Sequence, residues 1–338
     1  MDDYETLHRI EGLSSLTLEE NPLGFLRQLP GPCAIWLEGE DPSRTRAVCT
    51  LLHGNEPSGC DAIWHFIKRG QQPKTNCLLV IASVQAALTP PLYSHRMLPQ
   101  HRDLNRCFRP PFDDSRGNLA QQILAVIEDY QPEALLDIHN TSGSGPAFGV
   151  CVNGDMRHRA LASLFTHDLI VTDLRLGALM ELGEDRQPTV TIECGGSGDP
   201  AANLVAREGI FRFLCSDQVL SSTAASSVTT YPNPLRLELA EDTCLRYSDD
   251  PKTTGDLILA TDAEALNYGT ASAQEPIARL GPKGFDKLRI NGPEGEMPVS
   301  RYFEARNGKL YTRGPTRLFM VTTREEIALS DCLFYFMS

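Results

Sequence analysis

Short apolar runs alternate with amphipathic stretches over the first two thirds of the chain. Cys33 to Glu38 (CAIWLE), Ala47 to Leu52 (AVCTLL), Cys77 to Ser83 (CLLVIAS), Ala134 to Ile138 (ALLDI), Phe148 to Val152 and Val190 to Ile192 are brief, aliphatic and bounded by turn residues. That pattern predicts buried strands. Behind Pro57, a residue suited to the first position of a helix, Ile63, Phe66 and Ile67 repeat at i, i+3, i+4 and give a helix its apolar face. Leu119, Ile123, Val126, Ile127 and Tyr130 form one stripe over 118–130, stopped by Pro132. A helix is predicted over 156–167 and a longer one to about Val219, with Asp199 as N-cap and Pro200 at its first position. Leu16 to Gln28 is weakly helical in pattern, and the strand at 33–38 is expected to pair near Val48 across a turn at 39–45. The alternation implies an α/β fold, a mainly parallel or mixed sheet with helices on both faces.

Two stretches break this rhythm. Thr89 to Pro111 is irregular and proline-rich, and structureless loops of that length are often functional. From 221 to 234 the chain is small, polar and proline-containing, the composition of a linker. Beyond it, LRLELA, LILA, KLRI, KLYT and RLFMV are separated by turns such as Asn291-Gly292-Pro293 and Arg313-Gly314-Pro315, which predicts a smaller β-rich domain. The expected domains are therefore 1–228 and 229–338.

Composition narrows the classes. The 338 residues suffice for a main domain and a smaller one, and 41% hydrophobic with 22% charged residues is ordinary for a folded protein. A formal net charge of -13 argues against a nucleic-acid partner, which calls for a basic face. The acidic start lacks the basic and apolar regions of a secretory signal, and no window approaches a membrane span, so the cytoplasm is expected. Ten scattered cysteines without a CxxC pair suit reduced, buried thiols.

Candidate chemistry lies at the strand ends. His53 and Glu56 follow the Ala47 to Leu52 run, in the crevice where open α/β sheets place ligands, and are suitable metal donors. Spacing alone carries little, since His8 and Glu11 share it with no strand before and no proline after. His139, at the end of the 134–138 run, supplies a third ligand, and Asp137 on the same strand face can orient an imidazole from behind. Asp137 and His139 could instead be a buried polar pair closing a strand. Glu193, at the end of the 190–192 run, suits a general base, with a fourth ligand or a helix-terminal carboxylate as alternatives. The glycine-rich stretches at 142–145 and 195–198 match neither a phosphate-binding loop nor a serine-nucleophile elbow around Ser144 or Ser197.

His53-Gly54-Asn55-Glu56, Asp103-Leu104-Asn105-Arg106-Cys107-Phe108, Asp137-Ile138-His139-Asn140-Thr141 and Ile192-Glu193-Cys194-Gly195 resemble, in order and spacing, the motifs of the succinylglutamate desuccinylase/aspartoacylase family. That family is a branch of the zinc carboxypeptidase-like superfamily, and the likeness covers about residues 45 to 200. The resemblance implies a zinc carboxypeptidase-like mixed sheet flanked by helices, followed by a smaller β-rich domain. It implies one zinc per chain on His53, Glu56 and His139, with Glu193 as the catalytic carboxylate. Asn105 and Arg106 would grip the substrate's carboxylate, a task for which the planar guanidinium fork is suited.

Three positions depart from the family pattern. Ser83-Val84 stands where the family has an Asn-Pro pair. Leu98 stands where it has an arginine that polarises the scissile carbonyl; Arg96 and Arg102 flank that place, and a short insertion puts Arg96 in the role. The family's C-terminal tyrosine has only Tyr268, Tyr302 and Tyr311 as candidates.

The function expected is a zinc-dependent amidohydrolase that removes an acyl group from an N-acylated, acidic amino acid. A zinc-activated water would attack, with Glu193 as general base. A metallocarboxypeptidase acting on peptides or polyglutamyl-type chains, and a non-catalytic zinc-binding protein on the same fold, are the alternatives. The expected partner is a small-molecule substrate, with no nucleic acid and no membrane; the sequence leaves homo-oligomerisation open.

Overall fold

The computed structural model describes residues 6–14, 16–17, 19–141, 143–184, 186–221, 223–292, 295–330 and 332–338. Ser142, in the first glycine-rich stretch, and Pro293, in the expected turn, lie outside the described residues. The chain forms two compact units, one grouping residues up to Asn140 with Ala147–Pro232, the other Thr141–Pro146 with Asn233–Ser338.

Among the described residues, the first unit is built on nine strands. They are β1 (His8–Glu11), β2 (Cys33–Leu37), β3 (Asp41–Thr50), β4 (Thr75–Ile81), β5 (Ala134–Thr141), β6 (Phe148–Cys151), β7 (Asp168–Val171), β8 (Thr189–Gly196) and β9 (Thr229–Pro232). Their order across the sheet is β1-β2-β4-β3-β5-β8-β6-β7-β9. The strand β3 runs parallel to both β4 and β5, whereas β2 is antiparallel to β4 and β6 is antiparallel to β8. Thr191 meets Asp137 and Asn140 meets Gly195, so β8 advances in the same direction as β5. The carboxyl ends of β3, β5 and β8 therefore share one edge.

Among the described residues, six helices flank the sheet: α1 (Pro22–Arg27), α2 (Ser58–Lys68), α3 (Val84–Leu88), α4 (Ser115–Tyr130), α5 (Met156–Ala162) and α6 (Pro200–Cys215). Alternate positions of the central strands explain the continuous apolar runs. On β4, Cys77, Leu79 and Ile81 pack with Ile63, Phe66 and Phe213, while Leu78 and Val80 pack with Leu119, Ile123 and Ile127 on the other face. With both faces covered, the run 77–81 is apolar throughout, and the polar Thr75 and Asn76 are confined to the start of the strand.

Several expectations need correction. The strand at 33–38 does not pair with the strand through Val48; β4, buried at all seven positions, lies between β2 and β3 and pairs with both. Residues 41–45 accordingly form the first half of β3 rather than a turn. The helix expected to reach Val219 ends at Cys215, because the buried guanidinium of Arg46 donates to the carbonyls of Phe213 (2.6 Å), Ser216 (2.7 Å) and Asp217 (3.0 Å). Those bonds satisfy the terminal carbonyls and draw the chain out of the helix. The helix α5 stops at Ala162 rather than 167, and the chain enters β7, a strand that the sequence pattern did not reveal. The linker-like stretch also holds ordered structure: a 3-10 turn at Thr223–Ser227 and β9, where buried Tyr231 donates to Asp168 (2.7 Å). Asp199 caps α6 with Pro200 first in the helix, as its sequence predicts.

The second unit is β-rich. Strands at 270–271, 316–319, 334–337, 235–239, 288–292 and 295–297 make one sheet, and strands at 245–247, 257–259, 278–280, 309–312 and 303–306 another. Leu237, Leu257, Leu310, Leu318 and Phe336 share its core. All ten cysteines are free.

Candidate metal centre

Leu51, with φ +56°, turns the chain out of the sheet one residue past β3. The loop that follows is tight: Glu56 N–H donates to His53 O at 3.2 Å. Gly54 is required there by close approach, since a Cβ would lie 2.6 Å from Ala86 Cβ and 2.7 Å from the His95 carbonyl. Its N–H donates to Arg96 O (2.9 Å), which brings the 94–96 backbone against the loop. Pro57 stands at the cap position and α2 starts at Ser58, one residue later than expected. Asn140 ties the neighbouring elements together: its Oδ1 accepts from Ser58 N (3.1 Å), and its Nδ2 donates to Ser58 Oγ (2.8 Å) and Gly195 O (2.9 Å).

His53, Glu56 and His139, all buried, meet at this edge with their ligand atoms within 4.8 Å of one another. Glu56 Oε1 lies 2.8 Å from His53 Nδ1, and its Oε2 lies 2.6 Å from His139 Nδ1. The far nitrogen of each ring meets a second carboxylate, His53 Nε2 at 3.0 Å from Asp103 Oδ1 and His139 Nε2 at 2.8 Å from Asp137 Oδ2. In the tautomer that donates Nε2–H to the outer carboxylate, each ring turns the lone pair of Nδ1 toward Glu56. Lone pairs on two imidazoles and a carboxylate can face one another only around a proton or a cation. Two nitrogens and a carboxylate, each imidazole backed by a carboxylate, form a donor set suited to Zn²⁺.

The electrostatics agree. Burial alone would raise the Glu56 carboxyl, but His53 and His139 beside it hold it well below the usual range. Burial opposes protonation of His139, yet Asp137 and Glu56 push its affinity for a proton well above normal. The same carboxylates would favour a bound cation. Glu193 behaves oppositely: burial pushes its carboxyl up to about 7, against the pull of His139, and it also feels Glu56, His53 and Arg96. Its Oε2 is buried with no hydrogen-bond partner, an acceptor left for something else.

The irregular 89–111 stretch contains a 3-10 turn, Leu104–Arg106, whose cap Asp103 accepts from Asn105 N (2.8 Å) while holding His53. Asp103 is thus a site residue that the sequence presented only as the first letter of a motif. Asn105 is buried, with Nδ2 3.5 Å from His139 Nε2 and Oδ1 accepting from Leu179 N (3.0 Å). Arg106 is exposed and donates to Asn105 O (2.8 Å). Arg96 pairs with Asp103 Oδ2 through Nε (3.1 Å) and Nη2 (2.9 Å), and its Nη1 lies 3.6 Å from Glu56 Oε1. Arg102 is engaged by Asp114 instead, and Leu98 is buried.

Sequence reasoning also missed Glu181. Its Oε1 accepts N–H groups from Leu176 (2.6 Å), Gly177 (2.8 Å) and Ala178 (3.0 Å), and its Oε2 lies 2.7 Å from Arg109 Nε. The loop so held supports the 104–108 turn: Gly177 O accepts from Phe108 N (2.9 Å), and Gly177 (φ +79°) lies so close to Arg106 O that a Cβ would be 2.8 Å away. No periodicity or motif marks Glu181. Tyr268, Tyr302 and Tyr311 all belong to the second unit, against Phe319, Phe336 and Arg306 respectively.

A family model described as the succinylglutamate desuccinylase/aspartoacylase catalytic domain matches residues 42–214, just over half of the chain and the span that holds every residue of this centre. The chain belongs to the succinylglutamate desuccinylase/aspartoacylase family. Solved structures of desuccinylase/aspartoacylase proteins share the fold. One from Shewanella frigidimarina aligns with a TM-score of 0.57 at 11% identity, covering 90% of this chain and 92% of that one. A succinylglutamate desuccinylase from Vibrio parahaemolyticus gives 0.51 at 15%, covering 88% and 100%. The product-bound ectoine utilization protein EutE from Ruegeria pomeroyi gives 0.50 at 15%, covering 85% and 82%. At such identities the likeness shows the fold alone. No curated protein matches the chain closely enough to be counted a relative. Members of the desuccinylase/aspartoacylase family are amide hydrolases acting on acylated amino acids, and in this member the family-matched region spans β3 through α6. Among its described residues no helix is long and apolar enough to cross a membrane.

Proposed function

We propose that the chain is a zinc-dependent hydrolase that removes the acyl group from an N-acyl amino acid. The observation that carries this reading is the convergence of His53, Glu56 and His139 on one point, with the unpartnered Oε2 of Glu193 within their electrostatic reach. When bound by those three side chains, one Zn²⁺ would supply Lewis acidity to the acyl carbonyl and acidify the attacking water.

This chain's own residues would do the rest. Glu193 accepts the proton of the water that adds to the acyl carbon, then delivers it to the amine nitrogen as the C–N bond breaks. Burial raises its affinity for a proton, the direction that suits a carboxyl serving first as base and then as acid. Arg106 is exposed and meets the carboxylate of the amino-acid portion. Asn105, fixed by Leu179, shapes the wall beside His139. Arg96 extends Nη1 toward the centre and takes the role of polarising the carbonyl. Asp103 and Asp137 keep the two imidazoles turned inward.

The test is Glu193→Gln. It should bind zinc as the wild type does and lose about 10²–10⁴-fold in kcat on N-acyl amino acids, the usual worth of a positioned general base. Undiminished kcat in this variant would sink the assignment.

A further inference from the structure

The strand that carries Glu193 has two unlike faces. Val190, Ile192 and Cys194 join the apolar core on one side of β8, whereas Thr191 and Glu193, two residues apart, turn to the other. Thr191 is buried, a place where valine, its near-isostere, would bring no polar group to satisfy. Its hydroxyl donates to Asp137 Oδ2 at 3.1 Å, from β8 across to β5. The same oxygen lies 2.8 Å from His139 Nε2.

Little else fixes Asp137. It is fully buried, and its Oδ1 has no hydrogen-bond partner among the described residues. Its register partner on β3 is Cys49, and its chain neighbours Leu136 and Ile138 belong to the apolar core. The terminal torsion of an aspartate is broad, so a carboxylate held only by an imidazole can turn with that imidazole. The Thr191 hydroxyl is a second donor on the bonded oxygen, and it is carried by a strand whose backbone is paired with β6 at Val150. It therefore gives Asp137 a fixed reference that does not depend on His139.

We propose that Thr191 is a positioning residue of the metal centre, acting through Asp137 to hold His139 in its ligand orientation. The inference rests on the metal-binding part of the reading above and deepens it. Outer-shell partners of a metal-bound histidine are worth about 10–100-fold in metal affinity. Thr191 stands one bond further out than Asp137, which puts its hydroxyl at the lower end, about tenfold.

The experiment measures zinc dissociation constants by chelator competition on the full chain: wild type, Thr191→Val, Thr191→Ser, Asp137→Ala, and Thr191→Val combined with Asp137→Ala. Thr191→Val should weaken zinc binding about tenfold, and Thr191→Ser, which keeps the hydroxyl, should stay within about threefold of wild type. In the Asp137→Ala background the valine should cost less than about twofold, because the group through which the hydroxyl acts is gone. A threonine that only packs would not produce this pattern. Wild-type zinc affinity in Thr191→Val, a serine variant as weak as the valine one, or an undiminished tenfold loss in the Asp137→Ala background overturns the inference. Should Thr191→Val not fold, Thr191→Ala, which also lacks the hydroxyl, takes its place in every comparison. Wild-type protein that takes up no zinc overturns both the inference and the metal reading. The expected zinc pattern in a protein that hydrolyses no N-acyl amino acid supports the inference and overturns the hydrolase reading.

Discussion

Glu181 touches no metal ligand, yet its loss should reach the site. Replacing it with alanine removes the acceptor of three backbone N–H groups, at Leu176, Gly177 and Ala178, together with the partner of Arg109. Bonds to a charged acceptor are worth about 1.5–3 kcal/mol each when taken singly. Here all of them share one side chain, and the half-exposed Arg109 can turn to water. The net cost is therefore placed at about 3 kcal/mol, the lower end for breaking a buried ion pair. For a unit of this size that corresponds to a Tm lower by roughly 6–12 °C. The loop released is the one that accepts from Phe108 N and donates from Leu179 N to Asn105, so the 104–108 turn should lose its fixed position. The expected functional effect is a KM for N-acyl amino acids raised about tenfold, some 1.4 kcal/mol of lost positioning, with zinc content unchanged. Glu181→Gln, which keeps one carbonyl oxygen for the N–H groups, should recover part of both losses. Thermal melts and steady-state kinetics on zinc-loaded protein decide it. A Glu181→Ala protein with wild-type Tm and KM would refute the role given to this carboxylate.

Two further outcomes follow from packing and from titration. Gly59→Ala would place a Cβ 2.0 Å from Thr50 Oγ1 and 2.6 Å from Thr50 Cβ, so α2 must move off β3; a loss of about 3 kcal/mol is expected in urea unfolding, at the upper end for overpacking. Glu264, in the second unit, accepts from the N–H and hydroxyl groups of both Ser144 and Thr323. Burial opposes its ionisation, but those bonds hold its carboxyl below the usual value. A carboxyl so lowered stabilises the fold above its unfolded pKa of about 4.3, and the contribution is lost as pH falls through the folded value. Glu264→Ala should therefore be less stable than wild type at pH 7 and approach it in strong acid; a gap that widens in acid would contradict the sign.

Strands β3, β4 and β5 were legible in the sequence because their runs at 47–49, 77–81 and 134–136 are buried and apolar. Metal-ligand candidates were legible for the same reason: a histidine at the end of an apolar run, as at His53 and His139, is out of character with the run. The structure brings both to Glu56. What escaped was non-local. Neither the insertion of β4 between β2 and β3 nor the Arg46 bonds that end α6 are written in any local period, since each depends on partners far away in the chain. The strand β7 is only four residues long and too short to show a pattern. Asp103 and Glu181 work through hydrogen bonds that only the folded loop creates.

His53, Glu56 and His139 are proposed to hold one zinc ion. Metal analysis of the purified protein, with the His53→Ala, His139→Ala and Glu193→Gln variants prepared in parallel, addresses that proposal most directly. About one zinc per chain is expected in the wild type and in Glu193→Gln, with loss in both histidine variants, because a catalytic site has only three protein ligands to spare. Full zinc content in either histidine variant, or wild-type protein that takes up no zinc when it is supplied, would contradict the account.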